Sequence, residues 1–174
     1  MIPYSRQSID KNDLRAINKV LNSSIITQGK KLEQFEFLVA KKTKSKYSVA
    51  TNSATSALHI ACLSLELKQN DYLWTVPNTF VASANCARYC GAKVDFVDIN
   101  KNTFNISLKK LKIKLNHAKK KNKIPKIFVG VDLGGNPYDH KEVHDLFKKY
   151  NVKIISDSSH SLGAKINKYV IGSN

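Results

Sequence analysis

The chain has 174 residues, 42% hydrophobic and 24% charged, with 29 Lys plus Arg against 13 Asp plus Glu and a formal net charge of +16. That length fits one compact domain or part of a larger one, and the balance is globular rather than disordered. No apolar run approaches the ~18–20 residues that span a bilayer, and Met1-Ile2-Pro3-Tyr4-Ser5-Arg6 has no apolar signal core, which argues against a secreted or membrane-integral protein.

Asp10 is placed to cap a first helix with Leu14, Ile17, Val20 and Leu21 on one face. Asn22-Ser23-Ser24 breaks it, and Thr27-Gln28-Gly29 opens a second amphipathic helix through Leu32, Phe35 and Val39. A regular alternation follows. Strands are predicted at Tyr47–Ala50, Tyr72–Val76, Lys93–Val97, Ile127–Val131 and Val152–Ser156. Helices are predicted at Thr55–Leu65, Thr79–Tyr89, Ser107–His117 and Lys141–Tyr150. Such alternation implies right-handed crossovers and a largely parallel sheet with helices on both faces. Ligands on these sheets bind beyond the carboxyl ends of the strands, so the segments after each strand are where chemistry is expected.

Cys62, Cys86 and Cys90 form no CxxC pair and read as reduced core thiols, which points to the cytosol. Of the cations, only Arg6, Arg15 and Arg88 are arginines, and the lysines are spread along the chain. The densest run, Lys119-Lys120-Lys121-Asn122-Lys123, has no aromatic neighbour and reads as a solvated loop, with a phosphate-binding patch as the rival. His140 and His144 lie four apart without the metal-binding H-E-x-x-H pattern and read as a solvated helix face.

Three post-strand segments stand out. Thr51-Asn52-Ser53-Ala54-Thr55-Ser56 brings hydroxyls and unpartnered amides to a helix start, which suits a phosphate, although an ordinary Ser/Thr cap has the same appearance. Pro77-Asn78-Thr79-Phe80 stops a strand, with Asn78 or Thr79 as cap and Phe80 on the first turn, where it either stacks on a planar ligand or joins the core. Ser156-Asp157-Ser158-Ser159-His160 ends the last strand with a carboxylate and an imidazole, suited to a heteroaromatic nitrogen and an adjacent oxygen or to a plain turn. Together the three describe a site for an aromatic phosphate ester.

In order, Asn52-Ser53-Ala54-Thr55-Ser56-Ala57-Leu58, Thr79-Phe80-Val81-Ala82-Ser83-Ala84-Asn85 and Ser156-Asp157-Ser158-Ser159-His160-Ser161-Leu162-Gly163 resemble the motifs of the pyridoxal-phosphate sugar aminotransferases, the DegT/DnrJ/StrS family. Ile2-Pro3-Tyr4, Leu21 through Gly29, Phe35-Glu36 and Gly91 through Ile99 match as well, so the resemblance covers essentially the whole chain. It is most similar to the pseudaminic-acid branch, with Ala54-Thr55-Ser56 where most members have Gly-Thr-Ala and Ser159-His160 where many carry Ala-Gln. The implied fold is the large domain of a fold-type-I aminotransferase, incomplete at its C-terminus: residues 1–45 an N-terminal helical segment, 46–174 the first part of the cofactor-binding domain, and the small C-terminal domain absent.

The resemblance also implies roles. Thr55 and Ser56, with the amides around Ala54, hold the phosphate of pyridoxal 5'-phosphate (PLP). Phe80 stacks on its ring, Asp157 pairs with the ring nitrogen, and His160 contacts the phenolic oxygen. Tyr4 and Ser24, Ile25, Ile26 and Thr27 fall on the nucleotide-sugar side. The implied reaction moves an amino group, usually from glutamate, to carbon 4 of a UDP-linked keto sugar. It belongs to a cytoplasmic homodimer serving surface-polysaccharide biosynthesis, with neither nucleic acid nor membrane as partner. The loop Val131-Asp132-Leu133-Gly134-Gly135-Asn136 departs from many relatives. The family's phosphate-binding Ser and its Schiff-base lysine fall past Asn174, and Lys165 and Lys168 precede that position. No catalytic residue is therefore assigned, and the chain alone is expected to be inactive, as a partial reading frame or truncated product. The rival expectations are half of a split enzyme needing a C-terminal partner, and a basic nucleic-acid-binding domain whose affinity tracks Lys119 to Lys123.

Overall fold

A computed structural model describes residues 2–3 and 6–173. Helix α1 (Lys11–Leu21) starts in a reciprocal capping box, with the Asp10 carboxylate accepting from the Asn12 and Asp13 amides and Asp13 accepting from Asp10 N–H. Helix α2 (Lys30–Thr43) starts at Gly29 and ends on Lys44 in the left-handed conformation. Both helices lie where the sequence predicts them, but their apolar faces are not core. Leu14, Ile17, Leu21, Phe35, Phe37 and Leu38 are all exposed, and among the described residues only Thr43 of these two helices is buried.

The segment Tyr47–Ala50 forms no strand, in contrast to the sequence expectation. A strand needs a ladder partner for its amides and carbonyls. Here the Ala50 amide is taken instead by Glu36 Oε1 at 2.8 Å, and Tyr47 and Val49 project outward.

The body of the fold alternates α3 (Ala54–Ser64), β1 (Tyr72–Thr75), α4 (Ala82–Tyr89), β2 (Lys93–Phe96), α5 (Leu108–Lys120), β3 (Ile127–Val131), α6 (His140–Lys148) and β4 (Lys153–Asp157). The strands form one four-stranded sheet in the order β2-β1-β3-β4, every pair parallel. All five residues of β3 are buried, as a central strand covered on both faces requires. Strand alternation divides the core into two layers. Leu73, Ile127 and Val129 pack with Leu58, Cys62, Cys86 and Ala87 from α3 and α4. Trp74 and Phe128 point the other way, to Leu111, Leu115, Val143 and Phe147 from α5 and α6, with the Phe128 and Phe147 rings stacked at 4.8 Å. Cys62, Cys86 and Cys90 are free thiols in or beside the first layer, and the Cys86 contact together with burial pushes the Cys62 thiol up.

Two further departures concern short elements. Helix α4 begins at Ala82 rather than Thr79, with Val81 at its N-cap position, so residues 77–79 form a bend and Phe80 stands before the first turn. A two-stranded antiparallel hairpin, β5 (Lys165–Ile166) and β6 (Tyr169–Val170), was not anticipated; its tight turn uses Asn167 at φ +54°. Among the described residues no helix is long and apolar enough to cross a membrane.

Candidate functional site

From β1 the chain steps outward to β2, then returns across β1 to β3 and continues to β4, so the winding reverses between β1 and β3. The carboxyl ends of strands at such a reversal leave a crevice. A cleft of about 300 Å³ lies there, and the lining residues come from every post-strand segment that the sequence singles out: Ala54 and Thr55, then Thr79 and Phe80, then Asp157, Ser159 and His160, with Asp132 added. Leu58, Ala82, Val131 and Leu133 supply its apolar wall, and among the described residues no lysine lines it.

At one end, Ser53 caps α3 by accepting from the Ser56 amide at 3.2 Å, and the Ser53 and Ser56 hydroxyls meet at 3.1 Å. The Ser56 side chain is thus engaged in the cap. Ala54 and Thr55, the first two helical residues, keep amides that no turn of their own helix can satisfy, at the positive end of the helix dipole. Phe80 is 72% exposed, which rules out the core alternative and leaves its ring over the cleft mouth.

At the other end, Asp157 closes β4. Its Oδ2 accepts from Ser83 Oγ at 2.7 Å, and its Oδ1 accepts from Ser159 Oγ at 2.6 Å and Ser159 N–H at 3.4 Å. His160 lies on the exposed turn beyond. Its backbone carbonyl comes so near Gly135 that a Cβ there would sit 2.8 Å away; Gly135 itself has φ +82°, and only glycine meets both demands.

Beneath this turn lies a group that the sequence reading passed over. Asp132 follows β3 directly, and its side chain is fully buried. Its Oδ1 accepts from His140 Nε2 at 2.9 Å and from the Tyr138 amide at 3.3 Å; its Oδ2 accepts from Ser158 Oγ and Ser161 Oγ, each at 2.8 Å. Burial alone pushes the Asp132 carboxyl up, but the bonds from His140, Ser161 and Ser158 together with the His140 charge outweigh it, and the net shift is downward. One carboxylate thereby ties the loop after β3 to the turn that carries His160. The signal for it was the same one that marked Asp157: an acid immediately beyond a buried strand.

His140 corrects the reading of a solvated histidine face. It is the first residue of α6, half-buried, bonded to Asp132 and stacked on Tyr138 at 3.9 Å with 8° between the rings. Tyr138 is buried over Gly130, where a Cβ would overlap its ring, and burial raises its phenol above the ordinary range although Ser156 hydrogen-bonds it at 3.0 Å. His144 is exposed, as expected.

Among the described residues assigned to the sugar side, none lines this cleft. Ser24, Ile25 and Ile26 line a separate groove of about 810 Å³ between α1 and α2; Thr27 is in the same loop but is not one of the lining residues. Tyr4 lies outside the described residues. The run Lys119 to Lys123 is exposed at the end of α5, and Lys121 and Lys123 edge a third groove, of about 450 Å³, beside Trp74. No group of three or more His, Cys, Asp or Glu arranged to hold a metal occurs among the described residues.

The chain is similar to known proteins. UDP-4-amino-4,6-dideoxy-N-acetyl-beta-L-altrosamine transaminase from Campylobacter jejuni subsp. jejuni serotype O:23/36 (strain 81-176) is 44% identical over 173 residues, covering 99% of this chain and 45% of that protein. Among solved structures, Helicobacter pylori PseC, an aminotransferase involved in the biosynthesis of pseudoaminic acid, is 34% identical with a TM-score of 0.84, covering 97% of this chain and 44% of that one. GDP-4-keto-6-deoxymannose-3-dehydratase with a trapped PLP-glutamate geminal diamine is 27% identical with a TM-score of 0.85, covering 96% and 43%. The chain spans less than half the length of the curated relatives it matches. With residues 7–174 matching the model of that family, the chain belongs to the DegT/DnrJ/EryC1/StrS aminotransferases.

Proposed function

We propose that these residues form the cofactor-binding face of a PLP-dependent sugar aminotransferase. It transfers an amino group from glutamate to carbon 4 of a UDP-linked keto sugar for pseudaminic acid and surface-polysaccharide biosynthesis in the cytoplasm. The observation that carries the reading is the convergence, at the sheet's reversal point, of a hydroxyl-bearing helix start, an exposed aromatic ring and a strand-end carboxylate around one cleft of about 300 Å³. The donor set fits PLP chemically: backbone N–H groups and a hydroxyl for a dianionic phosphate, a flat hydrophobe for a ring, and an anion for a protonated ring nitrogen. The volume, at the small end of ligand pockets, suits one substituted ring with its phosphate.

When bound, PLP supplies the electron sink that lets an amine and a carbonyl exchange nitrogen. The side chains of this chain bind and orient it. The Thr55 hydroxyl, with the Ala54 and Thr55 amides, holds the phosphate, and Ser56 supports it through the cap. Phe80 covers one ring face, and Leu58, Ala82, Val131 and Leu133 keep water from the ring's edge. Asp157 keeps the ring nitrogen protonated, which is what makes the ring electron-withdrawing. His160 hydrogen-bonds the phenolic oxygen. In the same reading Tyr4 and Ser24 to Thr27 contact the nucleotide sugar from their own groove, residues 1–45 and 46–174 are the helical segment and the first part of the large domain, and the whole enzyme works as a homodimer.

With no lysine lining the cleft among the described residues, the 174-residue chain in this reading holds PLP without a covalent bond and does not transaminate alone. An absorbance titration is expected to show saturable one-to-one binding that desalting reverses, with no adduct at a single lysine after borohydride. Failure to bind, or stoichiometric labelling of one lysine, would contradict this.

A further inference from the structure

Ser83 has no role in the residue assignments above, yet it holds the carboxylate on which the PLP reading turns. It lies on the first turn of α4 and is completely buried. Its Oγ donates to Asp157 Oδ2 at 2.7 Å, across 74 positions of sequence, and Thr79 Oγ1, at the cleft wall, is 2.8 Å from Ser83 Oγ. A serine hydroxyl has one proton and a carboxylate has none to give. The proton between Ser83 and Asp157 is therefore that of Ser83, and the proton between Thr79 and Ser83 is that of Thr79. Both hydroxyl dipoles then point toward Asp157.

The acceptor positions of Asp157 show what this does. A carboxylate offers about four lone-pair directions. Ser159 fills both on Oδ1, through its hydroxyl and its amide, and Ser83 fills one on Oδ2. Among the described residues' hydrogen bonds the open position is on Oδ2, the oxygen that Ser83 fixes from a buried site in a helix.

We infer that Ser83 is a positioning residue for the ring nitrogen of the cofactor: with Thr79 behind it, it orients Asp157 so that the open lone pair of Oδ2 faces a protonated pyridine nitrogen. This rests on the PLP reading above. Ser83 touches no cofactor atom itself and acts only through Asp157.

The test compares the affinity of the full chain for PLP and for 1-deazapyridoxal 5'-phosphate, in which a C–H replaces the ring nitrogen. Both ligands share phosphate, ring and aldehyde, so the ratio reports only the nitrogen contact. The native chain is expected to prefer PLP by about thirtyfold, the range of a hydrogen bond to a charged group. Ser83→Ala is expected to cut the ratio to about threefold, with the deaza analogue bound as before, and Ser83→Thr to restore most of it. A merely structural serine would weaken both ligands equally and leave the ratio unchanged, which would overturn the inference while the PLP reading stands. A native chain with no preference would overturn both. Should Ser83→Ala lose its cooperative melt, Thr79→Ala, at the cleft wall, is expected to give a ratio of about tenfold; an unchanged ratio there would equally overturn the inference.

Discussion

Asp132→Ala is expected to lower the unfolding free energy by about 3–5 kcal/mol at pH 7, the range for stripping one partner from a buried ionic network. The carboxylate is wholly enclosed and accepts four hydrogen bonds. Removing it takes an acceptor from the Ser158 hydroxyl, the His140 ring N–H and the Tyr138 amide, and leaves the Ser161 hydroxyl only the Ser158 carbonyl at 3.3 Å. Urea denaturation, with an unchanged m-value, measures the loss. The sign of its pH dependence follows from the downward shift of Asp132. A carboxyl held below its unfolded value stabilises the fold at pH above that unfolded value, near 3.9, and the stabilisation disappears as pH falls through the folded value. The difference between native and variant chains is therefore expected to be full from neutral pH down to about 5 and to shrink below about 4. A difference that grew on acidification would contradict an ionised Asp132. Because Ser158 and Ser161 flank Ser159 and His160, the variant should also weaken PLP binding.

Asp157→Asn is expected to weaken PLP binding by about 30- to 150-fold, the equivalent of about 2–3 kcal/mol. The change removes the negative charge opposite the ring nitrogen and puts an amide N–H₂ where one carboxylate oxygen stood, so either Ser83 or Ser159 faces a donor. The phosphate end of the cleft is untouched, and inhibition of binding by inorganic phosphate should stay as in the native chain. An affinity for both PLP and phosphate that fell together would instead mean that the cleft had collapsed. Asp157 is half-buried at a strand end rather than enclosed like Asp132, so this substitution should cost less stability than Asp132→Ala.

Much of this was legible in the chain itself, for identifiable reasons. Ile127 to Val131 has the unbroken apolar character that only a strand covered on both faces needs, and it became the central strand. The segment Thr51 to Ser56 has the look of a Ser/Thr cap before an apolar helix, and Ser53 caps α3. The segments after β1 and β4 could be joined into one site before any geometry, because parallel winding carries strand ends to the same edge of the sheet, whereas the Ser53 to Ser56 helix start lines the same cleft without a strand before it. What failed depended on partners far along the chain. Tyr47 to Ala50 has strand-forming residues, but strand propensity cannot supply a neighbouring ladder. Thr79 looked like a helix cap, yet its hydroxyl bonds Ser83 instead and the helix starts three residues later, which is what brings Phe80 over the cleft. His140 was paired with His144 by helical spacing, whereas its true partner, Asp132, lies eight residues back across the loop. Ser83 and Asp157 are 74 positions apart, and no local pattern links a small residue in an alanine-rich helix to an acid at a distant strand end.

A crystal structure of the chain grown with PLP tests the central claim most directly. The account predicts a pyridine ring against Phe80 in the cleft between β1 and β3, its nitrogen within hydrogen-bonding distance of Asp157 Oδ2 and its phosphate on the Ala54 and Thr55 amides. Density for PLP in the lysine-edged groove beside Trp74 instead, or a cleft that stays empty at saturating concentration, would contradict it.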